Sequence, residues 1–288
     1  MRTLSSEEKR QHGSKLVPYS YYKCRIPLYF TSVPLHWHSE FEINYILEGK
    51  GEFIYGDERL IAEAGDIVIF QPNKLHAVHP YEDVELHYDT LVFRAEMLGV
   101  DSDRCGVECI LPIVNGMYRV KPQITTAVED YEEWKRCIES IFWCVTKNSS
   151  QDDLLLKSEL LRMFWLLEKK GYVCHDERAK SSRSETMRPV LAYINENFRE
   201  SISIDQLARI ANLSKSYFMG CFKQAAGVGA MEYIIQLRVE NACKLLASTC
   251  KTSAEIAFEC GFSNLSNFNR HFKNLVGCTP NEYRKSVK

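Results

Sequence analysis

The chain has no run of about 18 apolar residues, which excludes a membrane-spanning helix from its plan. Its opening stretch, MRTLSSEEKRQHGS, lacks the apolar segment of a secretory signal, so a cytoplasmic location and no membrane partner are expected. It has no C-x-x-C pair among eleven scattered cysteines. Several of these, Cys137, Cys144, Cys221 and Cys260, fall within apolar patterns. Buried free thiols in a reducing compartment are therefore expected, rather than a disulfide framework or a zinc finger. The chain also lacks a large net charge, at −2 over 288 residues, but the small total conceals an asymmetry. From Thr186 onward there are 13 Lys and Arg against 8 Asp and Glu, a net of +5, while the remainder holds 23 against 30, a net of −7. A basic rear part behind an acidic front part suits nucleic-acid binding by the rear part alone.

With 45% hydrophobic and 26% charged residues, the chain is expected to form packed cores, and its length suits two domains. The front part reads as short strands such as FEINYIL, EFIYG, DIVIF and VELHYDTLVF, set apart by the turn-like EGKGE, GDER, EAGD and QPNK. After Pro122 the period changes. Tyr131, Trp134, Ile138, Ile141 and Val145 recur at helical spacing, as do Leu156, Leu160, Met163, Trp165 and Leu167. Two long helices joined near 147–153 follow from this. The polar stretch CHDERAKSSRSET (174–186) reads as a linker, and everything after it as helical. The expected division is thus a sheet domain at 1–120, a helical segment at 121–173, a linker at 174–186 and an all-α domain at 187–288.

An internal repeat carries the functional signal. QLARIANLSKSYFMGCFKQAAG (206–227) aligns with EIAFECGFSNLSNFNRHFKNLVG (255–277). Leu207, Ala208, Ala211, Leu213 and Ser214 match Ile256, Ala257, Cys260, Phe262 and Ser263 at an offset of 49. Phe218, Phe222, Lys223 and Gly227 match Phe268, Phe272, Lys273 and Gly277 at an offset of 50. One extra residue in the second turn accounts for the slip. Each copy reads as a helix-turn-helix. Ser203 caps the first helix with Gln206 completing a capping box, Asn212-Leu213 breaks it, and Ser214 caps the next. Phe218, Cys221, Phe222 and Ala225 form that helix's inward face, and Gly227 a left-handed stop. In the second copy Gly261 makes the turn and Phe268, Phe272 and Leu275 face inward. Between the copies MEYIIQLRVENACKLLAS forms a helix with Ile234, Leu237, Asn241 and Leu245 at helical spacing. Thr279-Pro280-Asn281-Glu282 opens a last short helix.

The outward residues are Lys215, Ser216, Met219 and Lys223 in the first copy, and Asn264, Ser266, Asn267, Asn269, Arg270 and Lys273 around the second. Asn and Arg read adenine and guanine edges bidentately, whereas Lys223 and Lys273 suit phosphate. These residues are the candidate DNA-binding set. LRVENACKLL followed by EIAFECGFSNLSNFNRHFKNLVGCTPNEYR closely resembles the signature of AraC-type transcription regulators, over about the last hundred residues. The resemblance implies a seven-helix domain with two recognition helices in successive major grooves. It puts base-facing positions at Ser216, Met219 and Gly220, and at Leu265, Ser266, Asn269 and Arg270. Gly220 departs from the long polar residue usual there, which leaves the first copy to shape or phosphate more than sequence.

In the front part, PLHWHSEFEINYILEGKGEF carries His36, His38 and Glu42, all even-numbered and so on one face of a continuous strand. AGDIVIFQPNKLHAVH adds His76. The pattern H-x-H-x3-E-x6-G with G-x6-P-x3-H resembles the two cupin motifs, although Pro72-Asn73-Lys74-Leu75-His76 departs from the enzyme form. The resemblance implies a cupin-like β-barrel as the sensing half. Three readings stay open for His36, His38, Glu42 and His76. They bind a divalent metal, they line an effector pocket together with Tyr45, or they are structural. His79 and His87 are weaker candidates. The fold class expected is α+β multidomain: a cupin-like barrel, a helical dimerisation segment, and a C-terminal all-α domain with two helix-turn-helix motifs. The function expected is a non-enzymatic, effector-responsive activator. Its partners would be promoter DNA, a small molecule implied by the family to be a sugar, a second copy of itself and RNA polymerase, and no cofactor is expected unless the pocket holds a metal. A metal-dependent cupin enzyme with a helical appendage is the alternative, and a barrel serving only as a scaffold is a third.

Overall fold

The computed structural model describes residues 13–28, 31–147, 149–175 and 183–287. Residue contacts divide the chain into two compact units with main bodies Trp37–Ser182 and Arg183–Lys288. Of the expected linker, residues 176–182 lie outside the described residues. Its first residue, Cys174, is in a strand, and a helix begins at Arg183. All eleven cysteines are free thiols, with Cys137, Cys144, Cys221 and Cys260 buried.

The first unit is built from strands β1 (Tyr19–Ile26), β3 (Phe41–Tyr55), β4 (Glu58–Glu63), β5 (Ile67–Phe70), β6 (His76–Pro80) and β7 (Leu86–Phe93), while the short strand β2 (Val33–His36) groups with the second unit. A short helix α1 (Leu111–Val114) precedes the two-residue strands β8 (Arg119–Val120) and β9 (Gln123–Ile124). Helices α2 (Tyr131–Lys147) and α3 (Ser150–Lys169) and strand β10 (Val173–Cys174) follow. The sequence pattern puts a turn at EGKGE (48–52), but β3 runs straight through it. A bulge between Ile46 and Glu48 and the left-handed Gly49 (φ 78°) bend the strand without ending it. A Cβ at Gly49 would collide with the Glu85 carbonyl, so only glycine fits the bend. The first part of β3 then pairs with β5, the far part with β4 and β6, and β7 spans the bulge between them.

The expected barrel does not close. Hydrogen bonding runs β1-β7-β3-β5-β9, with β4 and β6 branching from it, and its end strands β1 and β9 are not neighbours among the described residues. The sheet is open because helices, not strands, cover its outer face. Phe41, Ile43, Ile69, Leu91 and Phe93 on that face share one core with Trp134, Ile138 and Ile141 of α2 and Leu156, Leu160 and Met163 of α3. Phe41 stacks on Phe93 at 5.4 Å and meets Phe164 edge-on at 5.0 Å. Burying a phenylalanine fully stabilises the fold by about 1.5–3 kcal/mol, so the helices and the sheet cohere as one body. The segments separated at residue 120 on sequence grounds are accordingly one unit, with β9 pairing to β5. Gln71 ties the intervening chain down. Its amide donates to the carbonyls of Ile113 (3.2 Å) and Tyr118 (2.9 Å), and its oxygen accepts from Tyr55 Oη (2.9 Å) and Val120 N (2.8 Å). Trp165, placed on the inward stripe of α3 by its spacing, is instead 50% exposed, and Phe164 beside it is buried.

Apart from β2, the second unit is all-α: α4 (Arg183–Asn197), α5 (Ile204–Ile210), α6 (Lys215–Ala226), α7 (Ala230–Ser248), α8 (Ser253–Glu259), α9 (Leu265–Val276) and α10 (Pro280–Val287). Ser203 caps α5 by accepting from Gln206 N (3.2 Å). The expected capping box is not formed there, because the Gln206 amide donates to the Tyr193 hydroxyl instead. Gly227, Gly261 and Gly277 all adopt left-handed φ, as the turns require. At α10 the box is complete, with Thr279 N donating to Glu282 Oε2 (2.8 Å) and Glu282 N to Thr279 Oγ1 (3.3 Å). The stripe Ile234, Leu237, Asn241, Leu245 is only partly right for α7, since Tyr233, Val239, Ala242 and Leu246 are buried with Ile234. This helix packs against α6, α8, α9 and α10, so more than one face is covered.

Candidate nucleic-acid interface and sensing site

Each helix-turn-helix presents its second helix outward by burying the opposite side. In α6, Phe218, Cys221, Phe222 and Ala225 are buried, which leaves Lys215, Ser216, Met219, Gly220 and Lys223 exposed. Lys215 Nζ pairs with Asp205 Oδ2 at 2.9 Å, a solvent-exposed link. Sequence reasoning passes over Tyr217, 53% exposed beside Ser216, because an aromatic ring suggests core. In α9, Phe268 and Phe272 are buried, Leu275 is half-buried, and Leu265, Ser266, Asn269, Arg270 and Lys273 are exposed. Asn264 is engaged within the fold, where its side chain caps α9 by accepting from Asn267 N at 2.8 Å. Asn267, half-buried, accepts from the Arg270 guanidinium at 2.9 Å. Arg270 is thereby held in position, with an exposed fork that can meet a guanine edge. Burial, and then the Arg270 charge, push the His271 pKa down, so this neighbour favours its neutral form.

The sensing candidates lie on the inner face of the sheet. His36, His38 and Glu42 are not on one continuous strand, since β2 ends at His36 and β3 begins at Phe41. His38, Glu42 and His76, all of the first unit, do converge, with one ligand atom from each within 4.8 Å of the others. His38 and His76 are 2% and 1% exposed and Glu42 7%. His38 Nε2 is 3.2 Å and His76 Nε2 3.6 Å from Glu42 Oε2, and the two rings meet edge-on at 4.8 Å. Nδ1 of each ring faces a backbone carbonyl: Pro34 for His36 (2.8 Å), Glu40 for His38 (3.2 Å) and Lys74 for His76 (2.8 Å). Burial alone would raise the Glu42 pKa. The hydrogen bonds and charge of His38 and His76 outweigh it and hold the carboxyl well below the usual range.

The other Glu42 oxygen is also engaged. Asn44 Nδ2 donates to Glu42 Oε1 at 2.9 Å, and Thr90 Oγ1 donates to Asn44 Oδ1 at 2.7 Å. Sequence reasoning missed Asn44 and Thr90, although Asn44, two residues after Glu42, shares its face by simple alternation. The same alternation separates Tyr45 from the group. It stands on the opposite face of β3 and packs against Phe142 of α2 at 6.2 Å, so it is not part of the cluster. His87 lies apart, between Glu48 (3.0 Å) and Glu85 (3.3 Å). His79 is half-buried in β6 opposite Glu52. An open groove of about 470 Å³ lined by Gly49, Lys50, Glu63, Tyr81 and Glu82 shares no residue with the histidine cluster.

A buried polar cluster in one unit and paired outward recognition helices in the other define a DNA-binding regulator with a ligand-sensing part. Comparison with known proteins agrees. Residues 28–164 match the AraC-like ligand binding domain, and residues 207–286 match a helix-turn-helix domain. The melibiose operon regulatory protein of Escherichia coli K12 is 24% identical over 290 residues, covering 98% of this chain and 94% of that protein. The raffinose operon transcriptional regulatory protein RafR of Pediococcus pentosaceus is 26% identical, covering 85% of this chain and 84% of its own. Among solved structures, ToxT from Vibrio cholerae aligns at 14% identity and a TM-score of 0.46, covering 94% of this chain and 100% of that one. The chain belongs to the AraC-type transcription regulators. Its family and relatives are regulators, which sets the cupin-enzyme alternative aside. No helix among the described residues is long and apolar enough to cross a membrane.

Proposed function

We propose that this regulator is a cytoplasmic, homodimeric activator of genes for carbohydrate use, switched by a saccharide held in the sensing unit. The observation that carries the reading is the presence, on one chain, of an AraC-like ligand binding domain and of a recognition helix exposing Ser266, Asn269 and Arg270. The saccharide class is supported by the relatives named for melibiose and raffinose operons. His38, Glu42 and His76 are the residues through which a polar effector would be sensed. Effector binding would bias the placement of the DNA-binding units at promoter DNA and so the engagement of RNA polymerase.

The dimer is supported by α3, where Leu154, Leu161 and Trp165 are 72%, 40% and 50% exposed at a spacing of seven and four residues, hence on one face. Trp143 of α2 is another exposed indole, 50% open. Exposed large apolar side chains arrayed in this way mark an association surface.

The test is fluorescence anisotropy of full-length protein on its selected DNA sequence, with and without melibiose or raffinose. A coupling of about 5–150-fold in affinity is expected for an allosteric effector. Affinity and reporter transcription unchanged by any saccharide would overturn the saccharide reading and leave DNA binding intact.

A further inference from the structure

We propose that Tyr217 is a further DNA contact, its hydroxyl donating to a phosphate oxygen on the wall of the groove that α6 enters. This rests on the reading of α6 as a helix laid on DNA. Tyr217 is 53% exposed, and among the described residues its hydroxyl has no hydrogen-bond partner. Helical geometry places it. Successive residues turn by about 100°. With Phe218, Phe222 and Ala225 buried, Ser216, Gly220 and Lys223 therefore form the line facing directly outward. Tyr217 stands about 90° to one side of that line, and Met219 lies on the other side. A helix with its side chains is about 10–12 Å across and the major groove about 12 Å wide, so the flanks of a docked helix meet the phosphate walls.

Gly220 strengthens the case. Nothing stands within 4 Å of the place a Cβ would take there, so the outward line carries only Ser216 and a bare glycine over its first turn. The helix can then sit closer to the base edges, which brings its flanks closer to the walls. On the opposite flank Met219 has nothing to donate, and Lys215 is paired with Asp205 at 2.9 Å. The second copy uses the equivalent position differently. Asn267, which aligns with Tyr217, is half-buried and steadies the Arg270 guanidinium at 2.9 Å. The first copy has no side chain at Gly220 to steady, which releases position 217 for the DNA backbone. Tyrosine hydroxyls are among the groups that set a protein's register on phosphate without reading a base.

The experiment is a double-mutant cycle on full-length protein and its selected DNA sequence. Duplexes carrying one neutral methylphosphonate at each successive phosphate of the site are titrated with wild type, Tyr217→Phe and Lys223→Ala. Tyr217→Phe keeps the exposed ring and removes only the hydroxyl. It is expected to weaken binding to the unmodified duplex about tenfold, as for a hydrogen bond to a charged group. The factor should be the same for single-base variants of the site, and the salt slope should stay unchanged because no charge is lost. At one methylphosphonate position the loss should largely disappear, which identifies the phosphate partner. Unchanged affinity in Tyr217→Phe, a loss equal at every methylphosphonate position, or a loss confined to particular base variants would overturn the proposal. If Lys223→Ala weakens binding while Tyr217→Phe does not, the role of Tyr217 falls and the reading of α6 stands. If neither has an effect, both fall.

Discussion

In the first helix-turn-helix copy the turn Ala211–Ser214 has four residues, its left-handed residue is Asn212 (φ 53°), and Ser214 caps α6 by position without a side-chain bond. In the second copy the turn Cys260–Asn264 has five, its left-handed residue is Gly261 (φ 85°), and Asn264 caps α9 with a 2.8 Å hydrogen bond. The copies therefore reach one architecture through different local chemistry. The second turn lies tight against the chain before α5, where a Cβ on Gly261 would collide with the backbone of Arg199. The first turn has room for a side chain. The outward faces differ in the same sense. The second carries an Arg270 steadied by Asn267, whereas the first carries Met219 and, at Gly220, no side chain at all. We propose that the second copy reads bases and the first holds register on the backbone.

The largest effect should come from the turns. Gly261→Ala combines left-handed strain with backbone overlap and is expected to cost about 3 kcal/mol or more. Asn212→Ala carries only the left-handed penalty, about 1–2 kcal/mol. Urea unfolding of both variants measures the contrast, and equal losses would break it. Next are the recognition faces. Arg270→Ala is expected to weaken specific DNA binding by about 1–3 kcal/mol and relax one base preference, while Lys223→Ala lowers affinity uniformly and reduces the salt slope by about 1. Binding titrations over several salt concentrations and single-base variants distinguish them. A loss of base preference in Lys223→Ala would reverse the roles assigned to the two copies.

Caps give a smaller difference. Asn264→Ala should cost about 0.5–2 kcal/mol, and Ser214→Ala much less because no side-chain bond is lost. Thermal unfolding reads both. The smallest effect is one of pH. In the second copy Thr252 and Glu255 form a capping box, and hydrogen bonds from the Thr252 backbone and then its side chain lower the Glu255 pKa. A carboxylate depressed in the folded state stabilises above its unfolded pKa, and that contribution disappears as pH falls through the folded value. Protection factors of the α8 amides, referred to the intrinsic exchange rate at each pH, should therefore fall on acidification below about pH 4.3, and Glu255→Gln should remove that response. The first copy, with Gln206 at the equivalent place, should lack it. The same acid response in α5 would mean that Glu255 is not its source.

Local chemistry was the legible part of this molecule. The repeat, the inward phenylalanines and the left-handed glycines follow from helical period and backbone preference alone. The residue inserted in the second turn was visible as a slip in register, but not its identity as the cap Asn264, because Ser263 aligns with Ser214. Non-local pairing was not legible. Whether Gly49 ends a strand or bends it depends on Glu85 across the sheet, and whether β1 meets β9 depends on helices more than a hundred residues away in sequence from β1. The histidine cluster was found by parity, although its strand is broken between His36 and Phe41. Parity applied to the end would have excluded Tyr45 and included Asn44.

Selection of bound sequences from a random DNA pool, with purified full-length protein, tests the central claim most directly. Paired recognition helices predict one motif with two elements about one helical turn apart, the element read by α9 being the more sharply defined. Recovery of no motif, with only weak binding that vanishes as salt rises, would contradict it.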